Sequence, residues 1–270
     1  MKAKMSLQHN ITSALLGKDD VAPVHEANAG GASPFLLTCD HYGRAIPRVL
    51  GDLGVDESDL ARHIGWDIGI AGVADALSKQ LDAHLIAQRY SRLVIDCNRP
   101  PQVASSIARI SEATPIPGNE NIDAEAALAR RQSIFDPYHR RIAEVIDQRI
   151  RSRKTTVLVS LHSFTPIYAG VVRPWHVAAL YGRDRTLPPL LLKLLRAEPD
   201  LVVGDNQPYS VSDQTDYTIL VHGEKRGLVN SAIEIRQDLI TDQAGQRKWA
   251  DRLSRIFSDI EQALRAQRLI

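Results

Sequence analysis

The sequence predicts an α/β domain, and three observations point there. Short apolar or β-branched runs alternate with stretches of helical spacing. Polar or charged residues crowd the carboxyl ends of three of those runs, where an open α/β sheet borders its ligand crevice. The 270 residues show no internal repeat and no composition shift that marks a linker, so the length is read as one domain with a substantial core.

Residues 1–33 hold a short helical piece and the small-residue stretch HEANAGGAS, and read as a flexible lead-in to a domain over 34–270. Residues 34–39 form a first strand with Asp40-His41-Tyr42-Gly43 at its end. Residues 58–80 have helical spacing in their second half, where Ile70, Val73, Ala74 and Leu77 share a face, and His63 and Asp67 stand one turn apart near the start. His84 to Gln88 is a short strand leading into YSRLVIDCNRPP, in which Leu93-Val94-Ile95 reads as a buried central strand bracketed by Arg92, Asp96, Asn98 and Arg99. Residues 104–121 are a turn-rich loop that shapes a site, and 123–153 are mostly helix with Pro137 marking a break or a new start. TTVLVSL, 155–161, is the strongest buried strand, with His162-Ser163-Phe164 at its end. Arg173-Pro174-Trp175-His176 leads into a strand over 177–181, followed by a helix over 187–195 and a loop over 204–217. A strand over 231–236 carries Glu234, and an amphipathic helix from 247 closes the chain.

With 33 basic and 32 acidic side chains scattered evenly, the net charge of +1 argues against a nucleic-acid or membrane surface and for a small-molecule partner. No run approaches the roughly 18 apolar residues of a membrane span, and the basic N-terminus precedes no apolar segment. Cys39 and Cys97 then read as free buried thiols of a cytoplasmic protein.

His41 and His162 each follow an apolar strand, the way an α/β scaffold presents imidazoles to a metal; the alternative is a pair of ordinary hydrogen-bonding histidines. Catalytic zinc takes three protein ligands and an open position, and His63 and Asp67 both offer the third, with either able instead to orient a ligand from behind. An Arg beside an Asn grips a carboxylate in a two-pronged geometry that Lys cannot copy, which Arg99 and Asn98 provide unless Asp96 and Arg99 merely pair to cap a strand. Glu234, an acid inside an apolar strand, is costly to bury unless it is paired with Arg236 two residues on or serves as a general base.

Taken in order, CDHYGRAIP, HIGWDIG, SRLVIDCNRP, LHSFTP, RPWHV, HGEKRG and IEIRQDLI resemble the N-formylglutamate amidohydrolase family, which is similar in turn to the zinc carboxypeptidase and aspartoacylase group. The resemblance runs from about Phe35 to Trp249. It implies an α/β domain of zinc-carboxypeptidase-like (phosphorylase/hydrolase-like) type, with a mixed central sheet flanked by helices. It also implies a zinc-dependent hydrolase that cleaves N-formyl-L-glutamate to formate and glutamate in amino-acid degradation. His41 and His162 resemble the two zinc histidines, and Glu234 the late glutamate that activates water. Asp96-Cys97-Asn98-Arg99 resembles the aspartoacylase DxNR segment, whose Asn and Arg hold the substrate carboxylate, and Arg92 is similar to the additional carboxylate-binding Arg. The carboxypeptidase-type Glu three residues after the first histidine is Arg44 here, so His63 and Asp67 both stay as the third ligand. Two other readings are an amidase acting on another N-acyl amino acid or small peptide-like amide, and a non-catalytic protein that binds an acidic ligand.

Overall fold

Three runs that are buried at every position, Phe35–Cys39 (β2), His84–Gln88 (β3) and Val157–Phe164 (β4), form the centre of a sheet covered on both faces. In this computed structural model, which describes residues 15–270, the sheet also contains Val24–Ala27 (β1), Val177–Leu180 (β5), Val203–Asp205 (β6) and Val229–Arg236 (β7). The spatial order is β1-β3-β2-β4-β7-β5-β6. The run from β3 through β2 and β4 to β7 is parallel, while β1 on β3 and β5 on β7 are antiparallel, so the sheet is mixed.

Strand alternation sends successive side chains to opposite faces, and each face has its own core. Phe35, Leu37, Val159, Leu161, Ile233 and Ile235 face one core. It is closed by helices Ile70–Leu81 (α1), Leu187–Arg196 and Gln243–Ala266. Ile70, Val73, Ala74 and Leu77 are fully buried on α1, as their spacing predicts. Leu36, Ile86 and Leu158 face the second core, against helix Asp136–Arg151, which follows a π-type turn and carries Pro137 in its first turn. Glu234 and His162 point to this second face.

Three expectations need correction. Leu93-Val94-Ile95 is buried but is not a strand: Ser91 Oγ accepts from Leu93 N, Asp96 Oδ1 accepts from Asn98 N, and Arg92 N bonds Gly65 O. Side-chain acceptors next to the apolar run outcompete a sheet partner and fold it into turns. His63 and Asp67 lie in turns before α1, so no helical turn relates them. Residues 15–33 are tied to the domain: β1 pairs with β3, Asp82 accepts from Ala32 N and Ser33 N, and a Cβ on Gly31 would lie 2.2 Å from Asp82 O. The small residues serve close backbone approach. The expected helical piece near the N-terminus lies outside the described residues.

Candidate active site

Parallel strands set the site's spacing. Glu234 on β7 and His162 on β4 are direct register partners, so both side chains rise from one face of adjacent strands. His162 therefore stands within its strand, which continues to Phe164, and His41 follows the end of β2 directly. Asp67 comes in from the loop before α1: its N–H bonds His41 O at 3.0 Å, and its Oδ2 accepts from Ser163 N at 3.1 Å. Gly69 makes this approach possible, because its φ is +79° and a Cβ there would meet Ile240 O at 2.0 Å.

The two imidazoles are oriented alike. His41 Nε2 lies 2.8 Å from Asp96 Oδ1, and His162 Nε2 lies 3.1 Å from Asp40 Oδ2 and 3.0 Å from Ser160 Oγ. Each ring thus gives its Nε2 to a carboxylate and turns its Nδ1 to the same atom, Asp67 Oδ2, at 3.4 Å for His41 and 3.1 Å for His162. One donor atom from each of His41, Asp67 and His162 lies within 4.8 Å of the others, and all three residues are buried. His41 Nδ1 has no hydrogen-bond partner among the described residues. Two nitrogens and one oxygen, with carboxylates behind the imidazoles, fit a divalent cation such as zinc.

The buried charges face one another at short range. Burial opposes ionisation of Asp40, Asp67 and Asp96, yet hydrogen bonds and nearby cations hold all three carboxyls well below their usual range. Against the same cost of burial, these carboxylates raise the pKa of His162 and of His41. Glu234 behaves differently. Burial pushes it up to about 7 despite the neighbouring histidines, and its Oε2 has no partner among the described residues. The bridge to Arg236 does not form, because Arg236 pairs with Asp238 at 2.8 Å.

These residues open onto a cleft of about 520 Å³, which Arg92, Asn98, Arg99 and His63 also line. Arg92 is engaged by protein, at 2.7 Å from Asp96 and 3.6 Å from Asp67. Asn98 Oδ1 accepts from Tyr217 N and Thr218 N, which leaves its amide N–H₂ group without a protein acceptor among the described residues. Arg99 donates to the carbonyls of Asn98 and Thr215 and lies 4.0 Å from Asp216, so it does not pair with Asp96. His63 sits 3.4 Å from Glu112, outside the donor trio. Arg44 pairs with Glu57 at the surface.

Asp40 and Asp96 were missed as partners of the histidines, although both stood inside quoted motifs. Asp40 also accepts from Tyr138, Ser160 and Thr218, which lie 98, 120 and 178 residues away in the chain. A local motif carries no trace of such contacts; the only sequence signal was an acid directly at the end of a buried strand.

A family model described as N-formylglutamate amidohydrolase matches residues 33–241. An N-formylglutamate deformylase of Pseudomonas putida is 24% identical over 220 residues, covering 77% of this chain and 76% of its own. Among solved structures, the gene product Atu2144 of Agrobacterium tumefaciens superposes with a TM-score of 0.90 at 34% identity, over 93% of this chain and 99% of that one. An N-formylglutamate amidohydrolase from Ralstonia eutropha JMP134 matches with a TM-score of 0.67 at 20% identity, over 92% of this chain and 100% of that one, a likeness of fold. Among the described residues no helix is long and apolar enough to cross a membrane.

Proposed function

The chain belongs to the N-formylglutamate amidohydrolase family, and from that premise we propose that its cleft hydrolyses the amide of N-formyl-L-glutamate, giving formate and glutamate, with a divalent cation held by His41, Asp67 and His162. It is an amidohydrolase acting on a carbon–nitrogen bond other than a peptide bond. The observation that carries the metal reading is the shared aim of two buried Nδ1 atoms at Asp67 Oδ2, each ring anchored from behind by a carboxylate.

A divalent cation in such a donor set lowers the pKa of water and polarises a carbonyl. The chain's own residues supply the rest. Glu234, beside His162 and free at Oε2, takes the proton of the attacking water and returns it to the departing nitrogen, so that water and amide become formate and amine. Asn98 and Arg99 hold a substrate carboxylate through the amide N–H₂ and the guanidinium edge. Arg92 locks Asp96 and Asp67 in place, and so acts on the imidazole and carboxylate donors rather than on substrate alone.

The test is formate release from N-formyl-L-glutamate by protein assayed with zinc and after chelation. Turnover that stops on chelation and returns with metal is expected; unchanged turnover in chelator contradicts the metal reading. The size of the cleft favours a second reading, another N-acyl amino acid with an acyl group larger than formyl. A panel of acyl donors on glutamate separates the two.

A further inference from the structure

The cations near the reacting centre are unequally committed. Arg92 is neutralised by Asp96 and Asp67, and Arg99 is partly spent on two backbone carbonyls. Arg173 is different. It is only 7% exposed and has no carboxylate within salt-bridge distance among the described residues. A buried guanidinium without a counter-charge costs several kcal/mol, so its position calls for compensation.

Part of that compensation is aromatic. The Arg173 guanidinium carbon lies 4.6 Å from the ring centre of Tyr168 and 4.8 Å from that of Tyr209, and both tyrosines line the cleft. Rings over the guanidinium leave its donors directed outward along its edge. One of them, Nη1, donates to Tyr209 Oη at 2.8 Å, and the tyrosine keeps its own proton to give. The remaining guanidinium nitrogens have no protein acceptor among the described residues. The mount is rigid. Arg173 N bonds Pro166 O at the base of the hairpin Ile167–Tyr168/Val171–Val172, and the next carbonyl, of Pro174, accepts from Arg236, two residues beyond Glu234 on β7.

We propose that Arg173, with the Tyr209 hydroxyl, is a second anion receptor of the cleft, and that it takes the second carboxylate of a dicarboxylic N-acyl amino acid while Asn98 and Arg99 take the first. The site then selects acidic amino acids over neutral ones, because a substrate lacking the second carboxylate leaves a buried cation unpaired. This inference rests on the hydrolase reading for its substrate, but the receptor itself is tested without turnover. The probe is glutarate, a plain dicarboxylate, titrated calorimetrically into the full-length protein and into R173Q and Y209F. A charge-assisted hydrogen bond is worth roughly tenfold to a hundredfold in affinity. R173Q is therefore expected to bind glutarate at least about tenfold more weakly, with Y209F in between. In the formate-release assay, R173Q should raise KM for N-formylglutamate far more than it lowers kcat, and lose the preference over N-formylglutamine. Equal glutarate affinity in wild type and R173Q overturns the proposal, as does a wild type that does not bind glutarate. Should R173Q fail to fold, Y209F carries the same test, and unchanged glutarate binding by it overturns the paired receptor. A wild type that loses glutarate on R173Q yet never releases formate leaves the receptor standing and removes the hydrolase reading instead.

Discussion

Replacing Asp40 by Asn should disarm a metal site that Asp40 does not itself touch. The Asp40 carboxylate accepts from Tyr138 at 2.9 Å and Thr218 at 2.6 Å on Oδ1, and from Ser160 at 3.1 Å on Oδ2, which also lies 3.1 Å from His162 Nε2. An Asn of the same shape keeps one oxygen for Tyr138 and Thr218 and sets an N–H₂ group against Ser160 and His162. The serine hydroxyl can rotate to accept. His162 has two outcomes: it keeps the proton on Nε2 and faces another donor, or it moves the proton to Nδ1 and loses the lone pair aimed at Asp67. The first forfeits a charge-assisted hydrogen bond of about 1.5–3 kcal/mol, and the second removes a metal donor. Loss of such a carboxylate behind a ligating histidine typically costs about 10- to 100-fold in metal affinity. Zinc affinity, read by competition with a chromophoric chelator, should fall by that factor in D40N, and the metal-free variant should melt a few degrees lower. Zinc affinity within twofold of wild type in a folded D40N protein would refute the argument that Asp40 sets the His162 tautomer.

E234Q should lose about 10²- to 10⁴-fold in kcat while retaining its metal content and KM, because only the proton acceptor changes. Burial holds Glu234 at about 7, and a cation in the donor set favours its ionised form, so wild-type kcat/KM should rise with pH along a limb at or below that value and flatten in E234Q. A persistent limb in E234Q assigns it to another group. Burial also lowers His139 to about 4 and His222 to about 3, where their rings stack behind the site and His139 Nε2 lies 2.8 Å from Cys97 O. The unfolded chain takes up these protons first, near pH 6.5, so His139 withdraws stability as pH falls from there toward about 4, at most about 3 kcal/mol. His41 and His162, with raised pKa values, have the opposite sign and add stability at low pH. The difference between wild type and H139Q in urea titrations at pH 7 and 4.5 isolates the contribution of His139: wild type should lose more stability on acidification, and equal losses would contradict it.

What could be read from the sequence was what local chemistry decides. The α1 face of Ile70, Val73, Ala74 and Leu77, the break in regular helix just before Pro137 and the buried strands at 35, 84, 157 and 229 follow from period and punctuation. Leu93-Val94-Ile95 misled because burial and β-branching do not distinguish a strand from a buried loop whose amides are taken by Ser91 and Asp96. In the site, His41, His162 and Glu234 were legible as polar residues against apolar runs; the structure sets Glu234 beside His162 on one sheet face and brings His41 up to His162 from the turn after its strand. The choice between His63 and Asp67 was not legible, because it turns on the path of the 67–69 loop, and that path depends on Gly69 lying against Ile240 at the far end of the chain. The resemblance gave Arg92 as a carboxylate-binding Arg for substrate; in the fold two protein carboxylates, one distant and one four residues on, claim it instead.

The most direct test of the metal reading is a crystal structure of zinc-loaded protein with anomalous data at the zinc edge. One ion is expected, ligated by His41 Nδ1, His162 Nδ1 and Asp67 at about 2.0–2.2 Å, with Glu234 alongside and no contact to His63. An ion held by His63 and Glu112, or no anomalous peak between the two imidazoles at saturating zinc, would contradict it.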